Sequence, residues 1–364
     1  VARVYALQPT GLATVQAGAL RKARRHSETH PHRDSLHYFH RFQLSEFRYN
    51  TITSRNDQVQ EKLQAVVDDL DVFYVISRLR HACSTLTHQN IFQADYRIGM
   101  LDEVVAYVER SPLLENPSVA LYYHAYKAFS TENPEHHFRA LVHGLSTPLF
   151  SDAEMRSLYL LAINFCIRAI NKGDAAYTDQ LLHLYAQALE QGVLLENGQL
   201  SPFTYKNIVS AALKLTRYEW AEAFVESYRE RLPEAHRHQF WAFNRAEIHL
   251  ARQEFAQVVQ LLAPLQYKDP FTELNARQAL IKAYFELGEF KLLDYQLDNF
   301  KHLIRRRDMI GYHKANFRDF VRFMSRLVNL PPGAGPKRKR LREEITSAPI
   351  LANKAWLLEK IGAA

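Results

Sequence analysis

The sequence predicts an all-α protein, a solenoid of helix-turn-helix repeats closed by a C-terminal capping helix. A recurring pattern in the second half carries most of that prediction. Residues 203–232, 240–266 and 274–302 read as paired helices, and their turns superpose at Thr216, Gln253 and Gly288, 37 and 35 residues apart. An earlier copy of the turn lies at Gly173, 43 residues before Thr216. This is the period of a helix-turn-helix repeat. Composition agrees, since 12 glycines and 14 prolines in 364 residues leave most of the chain free to be helical at low intrinsic cost.

The register holds at individual positions. Two residues after the turn come Ala175, Tyr218, Phe255 and Phe290, an aromatic in three copies, placed to plug the joint between the paired helices. Seven residues before it come Cys166, Val209, Ala246 and Ile281, mostly compact side chains where one helix approaches its partner. Five residues after it come Thr178, Ala221, Val258 and Leu293. Pro233 and Pro270 lie seventeen after two successive turns, where a proline is expected to end the second helix. This pattern resembles the tetratricopeptide repeat (TPR). The resemblance implies a right-handed α-solenoid of TPR-like repeats.

In chain order, residues 1–30 show weak helical periodicity with the basic run Arg21-Lys22-Ala23-Arg24-Arg25. Residues 35–50 read as an aromatic-rich helix and 51–57 as a polar break. Helices are expected over 62–86 and 91–110, the latter stopped by Ser111-Pro112, then over 119–130 with 135–144 and 154–170 with 177–191. Asn90, Asp152 and Ser201 are candidate caps. After the repeats, 312–330 is one more helix, 331–336 a flexible break rich in Pro and Gly, and 352–361 the capping helix. The organisation expected is an N-terminal basic segment over 1–57, a solenoid over 58–330, and a linker, basic segment and cap over 331–364. Because a solenoid spreads its core between neighbours, one continuous array and two globular domains are equally compatible with the composition.

Four runs carry a further resemblance: DVFYVISRLRHAC (71–83), LENGQLSPFTYKNIV (195–209), the stretch 303–330 through Tyr312-His313, and AWLLEKI (355–361). In this order they resemble an uncharacterised family of TPR-like proteins from Bacteroidota, over roughly residues 35–361. The family brings a fold and no established activity. Its members carry further helical sequence before the region equivalent to Val1, and the chain opens without methionine, so an upstream segment is expected.

Cys83 and Cys166, the two cysteines, each sit in an apolar helical pattern and read as buried free thiols in a reducing cytoplasm. No stretch approaches ~20 uninterrupted apolar residues, so no membrane span is expected.

The net charge of +7 is uneven: +5 over residues 1–50, −8 over 51–300, +9 over 301–345 and +1 beyond. The C-terminal excess comprises Arg305, Arg306 and Arg307, then Lys314, Arg318, Arg322 and Arg326 at helical spacing, then 337–340. Such a stripe attracts phosphate backbones, anionic lipid or an acidic protein. It also reads as the solvated face of a helix whose Phe317, Phe320, Val321, Met324 and Leu327 pack inward. A nucleic-acid-associated role for these basic ends is the alternative reading, without a recognised reading module to support it.

The favoured reading is a non-enzymatic scaffold that binds a protein or peptide. Nine residues before the turn stand Asn164, Asn207 and Asn244, with Ala279 departing in the fourth copy. The TPR resemblance implies that this position faces a concave groove, where amides hold an extended peptide. Lys206 and Lys282 would add charge there. An amide both donates and accepts, which suits a peptide backbone; equally, it can fix one repeat against the next.

Five histidines between His26 and His40 invite zinc, yet Pro31 interrupts them and no cysteine joins them, so neither metal nor cofactor is expected. The sequence lacks a phosphate loop, a Gly-x-Ser-x-Gly elbow and a metalloprotease helix. Adjacent acids such as Asp68-Asp69 diverge around a helix. No catalytic residue is expected.

Overall fold

The computed structural model describes residues 13–51, 58–92, 95–147, 149–306, 311–331, 333–348, 351 and 353–363. Arg307, most of the polar break at 51–57, Pro332 and Ala352 lie outside them. Apart from one short hairpin, the elements over these residues are helices. None is long and apolar enough to cross a membrane. Backbone contacts divide the chain into two units, Val1–Leu195 and Glu196–Ala364, a division that falls inside the 58–330 span expected as one array.

The first unit contains α1 (Ala13–Thr29), α2 (Ser35–Asn50), α3 (Gln58–Phe92), α4 (Leu101–Arg110), a 3-10 turn (Pro112–Glu115), α5 (Pro117–Ser130), α6 (Glu135–Gly144), α7 (Asp152–Asn171) and α8 (Tyr177–Glu190). Asp34 caps α2, its carboxylate accepting the His37 N–H at 2.9 Å. Helix α3 runs for 35 residues, about 50 Å at 1.5 Å per residue. The expected stop before residue 91 does not occur, and Asn90 is inside the helix rather than at a cap. No Gly or Pro interrupts 58–92, and Val75, Ile76, Leu79, Ala82 and Cys83 form one buried stripe along it. The helix ends at Phe92, and α4 opens only after a turn at Gly99-Met100, with Met100 left-handed at φ 60°.

Asn116 caps α5, accepting from the N–H groups of Ser118 and Val119, with Pro117 in the first turn. Its amide also donates to the Tyr38 hydroxyl at 2.9 Å and so ties α2 to α5. Ser151 and Ser201 stand at the N-caps of α7 and the next helix, neither with a side-chain capping bond; Asp152 is the first residue of α7. Cys83 and Cys166 are buried free thiols, as expected, and burial pushes each up to about 12.

The second unit holds α9 (Pro202–Lys214), α10 (Tyr218–Ser227), a 3-10 turn (Arg229–Arg231), α11 (Glu234–Ala251), α12 (Phe255–Leu262), α13 (Pro270–Glu286), α14 (Phe290–Arg306), α15 (Gly311–Val328), α16 (Gly335–Ser347) and α17 (Lys354–Ala363). Each helix packs on the next, and the first helices of successive pairs pack on one another, α9 on α11 and α11 on α13. One apolar cluster runs from Phe243 to Ile361. At the division the chain makes a two-residue hairpin, β1 (Leu195–Glu196) and β2 (Gln199–Leu200), turned by Asn197 and Gly198, both at positive φ.

All four turn residues read from the sequence are left-handed: Gly173 (φ 102°), Thr216 (55°), Gln253 (63°) and Gly288 (72°). Each closes its helix with the same pair of bonds. The next residue's N–H reaches back five positions, from Asp174 to Ala169 O, Arg217 to Ala212 O, Glu254 to His249 O and Glu289 to Tyr284 O, at 2.8–3.0 Å. The turn residue's own N–H reaches back three, which completes a Schellman motif.

The positions seven before and five after the turn are buried in every copy, at most 4 % exposed. The aromatic two after the turn is different. It opens the second helix, but Phe290 is 52 % exposed, so it does not plug that joint; the residue one turn further along is what fills it. Pro233 and Pro270 likewise do not end the second helices, which stop at Ser227 and Leu262. They stand at the start of α11 and α13, where a missing N–H costs nothing. The 331–336 break is also shorter than expected: Gly335 and Pro336 begin α16, so the basic run 337–340 is helical.

Candidate functional site

Three successive first helices of the second unit carry the predicted polar residues: Lys206 and Asn207 on α9, Asn244 on α11 and Lys282 on α13. A cleft of about 280 Å³ is lined by Lys206, Ser210, Lys214, Phe243, Asn244 and Glu247. The structure therefore brings Lys206 and Asn244 together with Glu247, a residue the sequence reading passed over. Glu247 lies six residues before its turn, at the repeat position that Ser210 and Lys282 occupy in the flanking copies. That coincidence of register was the available signal.

Charge alternates along this face. Burial pushes the Glu247 carboxyl upward, and the ammonium groups of Lys282 and Lys206 oppose that shift. Burial pushes both lysines down, offset for Lys206 by Glu247 and Asp269, and for Lys282 by Glu247 and Glu286. The Lys206 ammonium lies 5.5 Å from the centre of the Phe243 ring.

The repeated asparagines differ in setting. Asn207 is exposed and Asn164, on α7 in the first unit, is half-buried. Asn244 is 1 % exposed. Its amide nitrogen donates to Phe240 O, one turn back, at 2.7 Å, and its buried Oδ1 has no hydrogen-bond partner among the described residues. Lys282 is engaged by the chain's own C-terminal segment: it donates to Asn353 Oδ1 at 3.2 Å and lies 5.5 Å from the Trp356 ring centre. Helix α17 is held on α13 by Glu286, which accepts from Trp356 Nε1 at 2.7 Å and pairs with Lys360 at 2.8 Å.

The basic stripe is partly self-neutralised. Arg305 and Arg306 end α14 exposed, and Arg307 lies outside the described residues. Arg318, Arg322 and Arg326 form an exposed row on α15, while Phe317, Phe320, Val321, Met324 and Leu327 are buried behind it. Arg322 pairs with Asp319 at 3.3 Å and stacks over Phe323. Arg326 forms a two-point bond with Glu344, which also meets Arg340 at 3.4 Å.

In the first unit, His26 and His30 touch edge to face, as do His30 and His32. Among the described residues no group of three His, Cys, Asp or Glu is arranged to hold a metal ion. A second histidine group joins α5 to α6, with His124 Nδ1 and His137 Nδ1 2.9 Å apart; from sequence His136 and His137 read as ordinary helix-start or surface residues.

Compared with known proteins, the chain matches no family model, no curated protein and no solved structure.

Proposed function

We propose that this chain is a non-enzymatic helical-repeat scaffold that binds a protein or peptide along the first-helix face of its second unit. The observation that carries the reading is the row Lys206, Glu247 and Lys282 on α9, α11 and α13, with a cleft beside Phe243 between the first two helices. Alternating charge beside an aromatic ring and an apolar wall is a surface that fixes the orientation of an extended peptide. Membership of the TPR-like family, with a right-handed solenoid capped by α17, belongs to the same reading. It is supported by the four matching helix junctions and the sequential packing of first helices. A reducing cytoplasmic setting fits the two buried thiols.

The test is affinity capture from source cells with wild type and with the triple variant Lys206→Ala, Asn207→Ala, Glu247→Ala, each with nuclease and with moderate salt. The expected result is a defined protein that survives both treatments and falls about tenfold with the variant, at unchanged helicity. Recovery of nucleic acid alone, lost with salt, would replace this reading with one based on the basic residues of α14–α16.

A further inference from the structure

The first unit contains a cavity of about 510 Å³ walled by α1, α2 and α3. Helix periodicity aims particular residues into it. On α2, His37, Arg41, Leu44 and Arg48 follow one another at three- and four-residue steps, so they share a stripe. On α1, Leu20, Arg24 and Ser27 do the same, with Arg21 and Glu28 alongside. Asp69 enters from α3, and Arg33, in the link between α1 and α2, completes the lining.

Five guanidinium groups thus meet two carboxylates, a surplus of three positive charges around one space. The carboxylates are already committed. Asp69 accepts from Arg41 at 2.8 Å and from Ser45 Oγ at 2.5 Å, and Glu28 accepts from Arg24 at 2.7 Å. Arg33 gives its N–H groups to the neutral carbonyls of His30, His32 and Glu28, which hold the group in place and leave its charge uncompensated. Among the described residues the guanidinium groups of Arg21 and Arg48 make no hydrogen bond or ion pair.

His37 is the second, independent observation. It is 7 % exposed and lines the cavity, yet among the described residues its ring nitrogens have no hydrogen-bond partner; its neighbour is the Tyr38 ring, edge-on at 5.1 Å. An imidazole at the cavity wall whose ring nitrogens are not used within the protein can meet a ligand oxygen. The basic groups converge on one open-mouthed pocket instead of following a track, which suits a compact anion over a polymer backbone. Guanidinium forks match phosphoryl oxygens two at a time, and the volume lies within the range of small-molecule sites.

We propose that this cavity is a binding site for a small anion carrying two or more phosphoryl charges, with Arg21 and Arg48 as its free donors, Arg33 and Arg41 as fixed ones, and His37 completing the contact.

The test is calorimetric titration of the full chain with inorganic pyrophosphate, ADP and orthophosphate in chloride buffer, free of sulfate and divalent metal. Pyrophosphate or ADP should bind at least about tenfold more tightly than orthophosphate. Arg21→Gln with Arg48→Gln should weaken that binding at least about tenfold, while Lys337→Gln with Lys339→Gln on α16 leaves it unchanged. Neither Arg21 nor Arg48 holds the fold, so the ligand-free melting temperature should stay constant; if the glutamine pair lowers it, Arg21→Lys with Arg48→Lys retains charge, loses the fork and should still weaken binding. A favoured pyrophosphate arm points to a free phosphate chain, a favoured ADP arm to a nucleotide. Absence of binding, equal affinity for all three anions, or loss through the α16 variant in place of the cavity variants would overturn the proposal.

Discussion

At the scale of single residues, the polar groups that matter most are joined across distances that no local pattern reveals. Glu154 is 5 % exposed; it accepts the Tyr122 hydroxyl from α5 and faces the Arg80 guanidinium of α3 at 3.8 Å. A carboxylate placed so deeply must keep its donors. Tyr122→Phe removes one without creating space for water, and should destabilise the fold by about 1–3 kcal/mol in urea unfolding, with little change in the slope of the transition. These residues are 32 and 74 positions from Glu154, so helical periodicity could place each on an inward face and could not pair them. The cavity arginines show the same limit. The run at 21–25 was visible as charge, while Arg33, Arg41 and Arg48 were spread through two other segments until α1, α2 and α3 packed together.

At the scale of elements, the helix junctions were the most legible feature. Four turn residues were placed from register alone, and all four adopt positive φ in the same hydrogen-bonded motif. Two of them are not glycine. Left-handed geometry costs an L-residue about 1–2 kcal/mol, and glycine gives back about 0.5–1 of that by its greater freedom when unfolded. Thr216→Gly, the β-branched case, should therefore stabilise the protein by about 0.5–1 kcal/mol, measured by thermal or urea unfolding. Element boundaries were less legible where two signals competed. Proline reads as a stop, yet Pro233, Pro270 and Pro336 all sit at helix starts, because an X-Pro signal marks both the end of one segment and the first turn of the next. The Asn197-Gly198 turn was a readable hairpin signal inside a chain otherwise read as helix.

At the scale of the whole molecule, the first unit carries the acid-sensitive groups. Burial, then the charges of Arg33 and Arg41, lowers His37 from 6.5 to about 4, against an opposing pull from Asp34; burial, then His137 and His136, lowers His124 to about 4. The fold thus favours both neutral rings. Between about 6.5 and about 4 the unfolded chain binds more protons, so stability is full above that window and falls as pH drops through it. Melting followed from pH 7 to 4 should show that loss, and the double variant His37→Gln, His124→Gln should flatten it. The sequence by itself determined the helical class, the repeat period, the turn residues, the inward positions around each turn and the burial of both cysteines. Each of these follows from local backbone preference or from a periodicity of side chains along one helix. Tertiary structure decided the rest: that α3 runs unbroken, that Lys282 is held by the terminal segment, that Asn244 is sealed while Asn207 is exposed, and that five arginines share one cavity. Those outcomes depend on which helix faces meet, and packing sets that through the summed burial of many residues, a quantity no short stretch of sequence contains.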